Sequence, residues 1–215
     1  RADSVRRRAM GQMETAGATP AGEAPCVPAW ATDRLHVFSA AVPAEVCDRI
    51  IACGDARTLE RGPLHNNLTN ERFYDAHVRM TSIGWLPERD WIFELVKGFA
   101  DRVNDAWGFE LNDADHMQYA VYRRNDFFEW HKDMLRVRNG PIRKVSVVLQ
   151  LSAPEQYRGG RLQFLDDDFG SFTPEAFVPQ GSVAVFASLL KHRVTPIKDG
   201  ERRSLTAWFK GPPFR

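Results

Sequence analysis

The sequence predicts a mainly β domain with flanking helices, an α+β arrangement in which a jelly roll or β-sandwich has helices packed outside one sheet. Two observations support this fold class. Two helical stretches, each with one apolar face, occur in the first half of the chain. From His116 onward the pattern changes to short β runs, at residues 117–122, 127–131, 144–151, 161–165, 182–187, 191–197 and 204–209. Turn signals separate these runs at Asn125-Asp126, Asn139-Gly140-Pro141, Gly159-Gly160, Pro179-Gln180-Gly181 and Asp199-Gly200.

The first half of the chain is predicted to form supporting elements. Residues 35–38, LHVF, are typical of a strand, and Pro43 followed by Glu45 is typical of a helix start. Residues 74–85 predict a second strand. A second helix is predicted by apolar residues that recur every four positions and would pack on a sheet: Trp91, Leu95, Phe99 and Val103.

Composition limits the class of protein. The chain has 215 residues, enough for one substantial core, and 29 basic against 28 acidic side chains, so no global charge favours nucleic acid or membrane. Cys26, Cys47 and Cys53 lack CxxC spacing, which favours a reducing, cytoplasmic location. We expect a disordered leader at 1–30 and a single domain at 31–215, with helical support at 31–115 and a jelly-roll core at 116–215. The oligomeric state stays open.

A candidate metal site begins at the run YRRNDFFEWHKD, residues 122–133. On a strand, His131 and Asp133 share a face, because side chains alternate with a period of two. A second histidine would complete a three-ligand set, and His192 follows a later apolar strand. Two imidazoles and one carboxylate suit non-haem Fe(II), because three positions stay open on the opposite side of the metal.

The turn at Asp199-Gly200 tests whether His192 and Arg202 can share a pocket. A two-residue hairpin there would put these two side chains on opposite faces. Either the loop is longer, or the two strands belong to facing sheets and both point into the space between them. A guanidinium followed by hydroxyl groups on the same face of a strand suits a buried carboxylate. That face carries Arg202, Ser204, Thr206 and Trp208.

Five elements in order carry a family resemblance over roughly 180 residues. They are Tyr122 with His131-Lys132-Asp133, Gly159-Gly160-Arg161-Leu162, residues 179–186, His192-Arg193-Val194-Thr195-Pro196, and Arg202-Arg203-Ser204-Leu205 with Trp208. In this order the chain resembles the Fe(II)- and 2-oxoglutarate-dependent oxygenases, specifically their prolyl-4-hydroxylase-like branch.

The resemblance implies a double-stranded β-helix with iron held by His131, Asp133 and His192 as the catalytic centre. It implies that 2-oxoglutarate chelates the iron and that Arg202 pairs with the far carboxylate. Assisting residues on this interpretation are Tyr122, Ser204, Thr206 and, as a weaker candidate, Gln150. The implied cofactors are Fe(II), 2-oxoglutarate and O2, with ascorbate as a supporting reductant. Trp130 and Lys132 should point away from the metal by alternation, and the four remaining histidines are assigned structural roles: His36, His65, His77 and His116.

The resemblance implies hydroxylation of an unactivated C–H bond with release of succinate and CO2. The leading substrate is a peptidyl prolyl or other amino-acid side chain. One alternative is a free small molecule, and another is a non-catalytic metal-binding module that interacts with partners. Nucleic-acid demethylation is disfavoured, because Trp208 stands where the demethylases of this branch carry a second arginine, and neither nucleic acid nor membrane is an expected partner.

A basic segment, residues 134–144, follows the first two candidate ligands and is placed like a lid at the mouth of the site. One hypothesis is that it contacts an acidic or carboxylate-bearing substrate through Arg136, Arg138 or Arg143. The alternative is a solvated loop.

Overall fold

The computed structural model describes residues 33–66, 71–87, 90–134, 140–166, 168 and 170–214. The leader at 1–30 and Cys26 lie outside these residues, so the predicted disorder and the domain boundaries stay predictions. Cys47 and Cys53 are free thiols. Within the described ranges, no helix is both long and apolar enough to cross a membrane.

The first half of the described chain holds both helices. Its elements are β1 (Leu35–Phe38), α1 (Ala44–Asp55), β2 (Glu60–Arg61), β3 (Leu64–His65), β4 (Arg72–Phe73), β5 (Arg79–Met80), β6 (Ser82–Leu86) and α2 (Trp91–Trp107). The predicted strand at 74–85 is therefore shorter than expected. Residues 75–79 form a turn instead, in which the amides of Val78 and Arg79 donate to the Asp75 carbonyl.

The second half of the described chain consists of strands joined by turns and two short 3-10 helices, Pro154–Gln156 and Glu175–Phe177. Its elements are β7 (Asp113–Ala114), β8 (Met117–Tyr122), β9 (Phe127–His131), β10 (Ile142–Gln150), β11 (Tyr157–Gly159), β12 (Leu162–Asp166), β13 (Gly170–Phe172), β14 (Val183–Ala187), β15 (Lys191–Val194), β16 (Ile197–Gly200) and β17 (Arg202–Gly211). Every β run predicted from His116 onward overlaps one of these strands.

Two antiparallel sheets face each other. The large sheet has the order β1-β14-β10-β17-β8-β6-β2, with β7 paired to β17, and the small sheet has the order β13-β12-β15-β9-β5. Two-stranded ladders join β11 to β16 and β3 to β4. This is the predicted mainly β jelly roll, with both helices on the outer face of the large sheet.

The helices bury their apolar faces against the large sheet. Their inward residues, which include Cys47, Ile50, Ile92 and Val96, share one core with Val145, Val147, Leu149, Leu205 and Ala207 of the sheet. The predicted stripe of α2 is wrong at its start, because Trp91 is 39% exposed while Ile92 is fully buried. Phe99 and Val103 do face the core. The helix begins at the Asp90 cap, whose carboxylate accepts from the amides of Ile92 and Phe93.

A second core fills the space between the two sheets. Ala120, Val148, Ala184 and Phe186 come from the inner face of the large sheet, and Leu162, Phe164 and Val194 come from the small sheet. The candidate site lies in this inter-sheet space, where side chains from both sheets meet.

The Asp199-Gly200 turn connects strands of different ladders. β15 lies in the small sheet, β16 pairs with β11, and β17 lies in the large sheet. Gly200 has a φ of 74° and provides the left-handed turn between β16 and β17. Of the two arrangements that parity allowed, the facing sheets are therefore confirmed, and His192 and Arg202 can point into one space.

Candidate active site

Three candidate ligands converge on the inner face of the small sheet. His131 ends β9, and His192 lies directly opposite it on β15. The Nε2 atom of His131 lies 3.7 Å from Oδ1 of Asp133, and the Nε2 atom of His192 lies 3.6 Å from its Oδ2. Among the described residues, these three are the group whose ligand atoms, all within 4.8 Å of one another, could hold a metal ion.

Backbone contacts orient both imidazoles. Nδ1 of His131 lies 2.7 Å from the Glu129 carbonyl, and Nδ1 of His192 lies 2.9 Å from the Leu190 carbonyl. A carbonyl can only accept, so each Nδ1 carries the proton and each Nε2 presents a lone pair. At metal centres, a hydrogen bond from the ring nitrogen that does not bind the metal commonly orients the histidine in this way.

The electrostatics keep these side chains ready to bind a cation. Burial lowers the pKa of His131 to about 3, and the neighbouring His192 acts in the same direction. Burial raises the pKa of the Asp133 carboxyl, but the fields of His192 and His131 outweigh it, so this pKa lies below its usual range. A neutral His131 imidazole and the Asp133 carboxylate therefore coexist near neutral pH.

The donor set fits Fe(II). Asp133 is 8% exposed, and its Oδ2 atom has no hydrogen-bond partner among the described residues. A buried carboxylate oxygen without a partner is costly unless something charged satisfies it. Two nitrogen donors and one oxygen donor on one side of the ion match the set that leaves positions open for cosubstrate and O2.

Arg202 faces the same space from the large sheet. Its guanidinium is 1% exposed, donates from Nε to Oε1 of Gln150 at 2.9 Å, and lies 3.5 Å from the Ser204 hydroxyl through Nη1. Its Nη2 atom is buried without a hydrogen-bond partner among the described residues. A buried guanidinium with one uncommitted nitrogen fits a ligand carboxylate.

The other predicted cosubstrate residues divide into two groups. Tyr122, Ser204 and Thr206 line the same cavity as the metal ligands. Burial raises the pKa of Tyr122, so its phenol keeps the proton and can donate. Gln150 instead lies behind Arg202, where its amide donates to the Ser152 carbonyl and to the Tyr157 hydroxyl. The geometry therefore gives Gln150 a positioning role.

The cavity between the sheets has a volume of about 440 Å³. Trp130 and Lys132 lie on its wall as well, so alternation excludes them from the ligand set but not from the cavity. Arg136 and Arg138 lie outside the described residues. Arg143 is described; its Nε donates to Asp115 at 2.6 Å, and its guanidinium lies 3.9 Å from the Trp208 ring centroid.

Sequence reasoning missed Arg79. This residue is 6% exposed, lines the cavity, and places its guanidinium 4.5 Å from the centroid of Phe128. Phe128 in turn stacks on the His131 ring at 3.5 Å. The available signal was a single arginine inside a stretch predicted to be a strand, and that alone does not separate a buried arginine from an exposed one.

Comparison with known proteins agrees with this site. Residues 117–210 match the model of the 2OG-Fe(II) oxygenase superfamily. A PKHD-type hydroxylase of Shewanella baltica is 33% identical over 92 residues, which are 41% of this chain and 40% of that protein. A PKHD-type hydroxylase of Hyphomonas neptunium is 38% identical over 66 residues, or 31% of this chain and 28% of that protein. The chain thus matches less than half the length of these curated relatives.

Solved structures share the whole fold. A Pseudomonas putida prolyl-4-hydroxylase superposes with a TM-score of 0.64 at 25% identity, over 85% of this chain and 95% of that one. A prolyl hydroxylase from Trichoplax adhaerens, in complex with a hypoxia inducible factor peptide fragment, has a TM-score of 0.62 at 17% identity, over 83% and 84%. The sequence motifs, the jelly roll and the His-Asp-His geometry all agree with the 2OG-Fe(II) oxygenase superfamily, whose model matches residues 117–210, and a prolyl-4-hydroxylase is among the structural neighbours.

Proposed function

We propose that this chain is an Fe(II)- and 2-oxoglutarate-dependent dioxygenase that hydroxylates an unactivated C–H bond on a peptidyl prolyl or other amino-acid side chain. The reaction releases succinate and CO2. The observation that carries the proposal is the pairing, in one cavity, of a convergent His-Asp-His set with the partnerless Nη2 of Arg202. The His-Asp-His set suits the metal, and the Nη2 atom of Arg202 suits a carboxylate of the cosubstrate.

In this proposal the residues divide the work between two sheets. His131, Asp133 and His192 hold Fe(II) through two Nε2 atoms and a carboxylate oxygen. The bound metal, with 2-oxoglutarate and O2, supplies the oxidising chemistry. The protein supplies the ligands, the orientation of the cosubstrate and a cavity that limits access of water.

Arg202 binds the distal carboxylate of 2-oxoglutarate, and the hydroxyl groups beside it complete the site. Gln150 accepts a hydrogen bond from Nε of Arg202, which leaves Nη2 of this cavity-lining residue without a partner among the described residues. Ser204, Thr206 and Tyr122 are placed to donate further hydrogen bonds, since all three line the same space. A carboxylate held by a fixed guanidinium keeps the keto acid end directed at the metal.

Two solved neighbours are named prolyl hydroxylases, and one is in complex with a peptide. These names support a peptidyl substrate here. A free small molecule is the alternative substrate, and a cytoplasmic location completes the proposal, because Cys47 and Cys53 are free thiols.

The test measures cosubstrate turnover and substrate oxidation separately. The Fe(II)-loaded protein should form succinate from 2-oxoglutarate in air, and His131→Ala should not. Mass spectrometry of peptide and amino-acid panels should then detect a gain of one oxygen, and the panel that responds distinguishes a peptidyl from a free substrate. Equal succinate yields from the wild-type protein, His131→Ala and a protein-free control would disprove the enzyme assignment.

A further inference from the structure

Arg79 is a buried charge without a carboxylate partner. It projects from β5 into the cavity and donates to neutral acceptors only: Thr81 Oγ1 at 3.0 Å, the Pro63 carbonyl at 3.0 Å and Gln118 Oε1 at 3.1 Å. It forms no ion pair with any carboxylate in the described ranges. Three of its five N–H groups are thus used, and two remain for a ligand.

The surroundings of Arg79 do not neutralise it. Burial lowers the pKa of the Arg79 guanidinium, Tyr122 and the Asp133 carboxylate oppose this, and the charge of Arg143 adds to it. Asp133 is already a member of the metal ligand set. An uncompensated buried cation is costly, so an anion beside Arg79 would remove a cost that the unliganded fold carries.

Two lysines place further positive charge on the cavity wall. The pairing of His192 with His131 sets Lys191 beside Lys132, at adjacent ends of β15 and β9. Both line the cavity, and neither forms an ion pair with a described residue. Like charges side by side across a strand pair are unfavourable, and a bound anion reverses that effect.

The bound cofactors do not supply this anion. With Fe(II) and 2-oxoglutarate in place, the charges of the metal, the cosubstrate, Asp133 and Arg202 cancel one another. Arg143 is already paired with Asp115. Arg79, Lys132 and Lys191 therefore remain as positive charges facing the space left for the substrate.

We infer that the substrate carries a carboxylate, which binds to the free N–H groups of Arg79 while Lys132 and Lys191 attract it to the cavity. This inference rests on the proposed function. A single buried guanidinium with two free N–H groups suits a singly charged carboxylate, held by two parallel hydrogen bonds. The carboxylate is either an acidic side chain near the oxidised residue of a peptide or the terminal carboxylate of a free amino acid.

The stacking of Arg79 explains how this contact would direct the reaction. Its guanidinium lies 4.5 Å from the centroid of the Phe128 ring, and the His131 ring stacks on the same phenylalanine at 3.5 Å. A carboxylate at Arg79 is thereby held beside a metal ligand. The substrate would be anchored at one end close to the oxidising centre, which is what orientation of a C–H bond requires.

Binding without turnover tests the inference. The Fe(II)- and 2-oxoglutarate-loaded protein is titrated by calorimetry under anaerobic conditions with two matched pairs of probes: Ac-Ala-Asp-Pro-Ala-NH2 against its Asn counterpart, and N-acetylproline against its amide. We expect the acid of at least one pair to bind roughly 10- to 100-fold more tightly than its amide. The pair that responds identifies the peptidyl or the free source of the carboxylate.

Variants assign the preference to these side chains. Arg79→Gln should abolish the acid preference, while Arg158→Gln, a control at an arginine whose side chain is 76% exposed, should retain it. If Arg79→Gln does not fold, the double variant Lys132→Gln/Lys191→Gln serves as the test: it should weaken binding of the acid probe and leave binding of the amide probe unchanged. Equal binding of acid and amide in both pairs, no binding of either acid, or tighter binding of a phosphoserine peptide than of the Asp peptide would overturn the inference. Succinate formation in air, without probe, reports on the proposed function separately.

Discussion

Replacing Arg202 with lysine should weaken 2-oxoglutarate binding much more than the same replacement at Arg203. Arg202 divides its nitrogens, with Nε on Gln150, Nη1 near Ser204 and Nη2 without a partner. Lysine keeps the charge but has one nitrogen, which cannot serve both Gln150 and a ligand carboxylate. Arg203 lies on the opposite face of β17 and forms an ion pair with Asp55 at 3.4 Å, so it provides a matched control.

The expected rise in the Kd for 2-oxoglutarate follows from the hydrogen bond that Arg202→Lys removes. A hydrogen bond to a charged group contributes about 1.5–3 kcal/mol, which corresponds to a roughly 10- to 150-fold rise in the Kd for 2-oxoglutarate. Anaerobic calorimetry of the Fe(II)-loaded protein measures this Kd directly. Arg203→Lys should stay within about twofold of wild type, because neither Arg203 nor Asp55 lines the cavity and their partly exposed ion pair contributes little.

Either of two results would refute the reasoning. If Arg202→Lys binds 2-oxoglutarate as tightly as wild type, the partnerless Nη2 atom is not the cosubstrate site. If both lysine variants weaken binding equally, the effect comes from the strand and not from the buried guanidinium.

Three further predictions concern the metal, the pH dependence and a glycine. His192→Ala should weaken Fe(II) or Mn(II) binding by more than about 100-fold, because even residues that only hydrogen-bond to metal ligands contribute up to that factor. His77→Ala, at an exposed histidine, should leave metal binding unchanged. Similar metal Kd values for the two variants would contradict the assignment of His192 as a ligand. In the metal-free protein the pKa of His131 is lowered from 6.5 to about 3, so protonation favours the unfolded chain and stability is lost as pH falls through this range. The free energy of unfolding should change by about 1.4 kcal/mol per pH unit in this range. The His131→Gln variant should lack this contribution when unfolding by urea is measured at several pH values. Identical pH profiles of stability for the variant and the wild type would contradict the prediction. Gly160→Ala should lower stability by about 1–3 kcal/mol, because φ is +59° and the new Cβ would clash with Cδ1 of Ile197. It should also raise the Kd for 2-oxoglutarate, because the same Cβ would lie 3.0 Å from Cδ of Arg202. Gly170→Ala, at φ +81° in open space, should share the loss of stability but not the change in Kd.

Part of the candidate metal site was predictable from the sequence, because two of its three residues are close together in the chain. His131 and Asp133 are two residues apart, and the alternation of an extended chain predicts one face for both, although β9 itself ends at His131. Placing His192 and Arg202 in the same space needed more. Parity around Asp199-Gly200 left two arrangements open, and only the sheet order shows that β15 and β17 lie in facing sheets.

Other features depend on tertiary packing that periodicity does not record. The four-residue spacing that included Trp91 is wrong at that position, because packing on the sheet buries Ile92 and leaves Trp91 39% exposed. The position of Gln150 behind Arg202 depends on the pairing of β10 with β17. Arg79 is buried because the chain from Pro63 folds over it, a contact between segments that no local pattern contains.

The split of the site between two sheets has a consequence for the molecule as a whole. The proposed metal ligands lie on the small sheet and the proposed cosubstrate arginine, Arg202, lies on the large one, so the layer of side chains between the sheets separates them. Aromatic rings in that layer contact one of the proposed metal ligands: the ring centroid of His192 lies 4.7 Å from that of Phe186, which packs on Phe164 at 5.1 Å. On the proposed function, these phenylalanines would set the distance that a bridging dicarboxylate has to span. A change in their volume should therefore change the length of the dicarboxylate that binds.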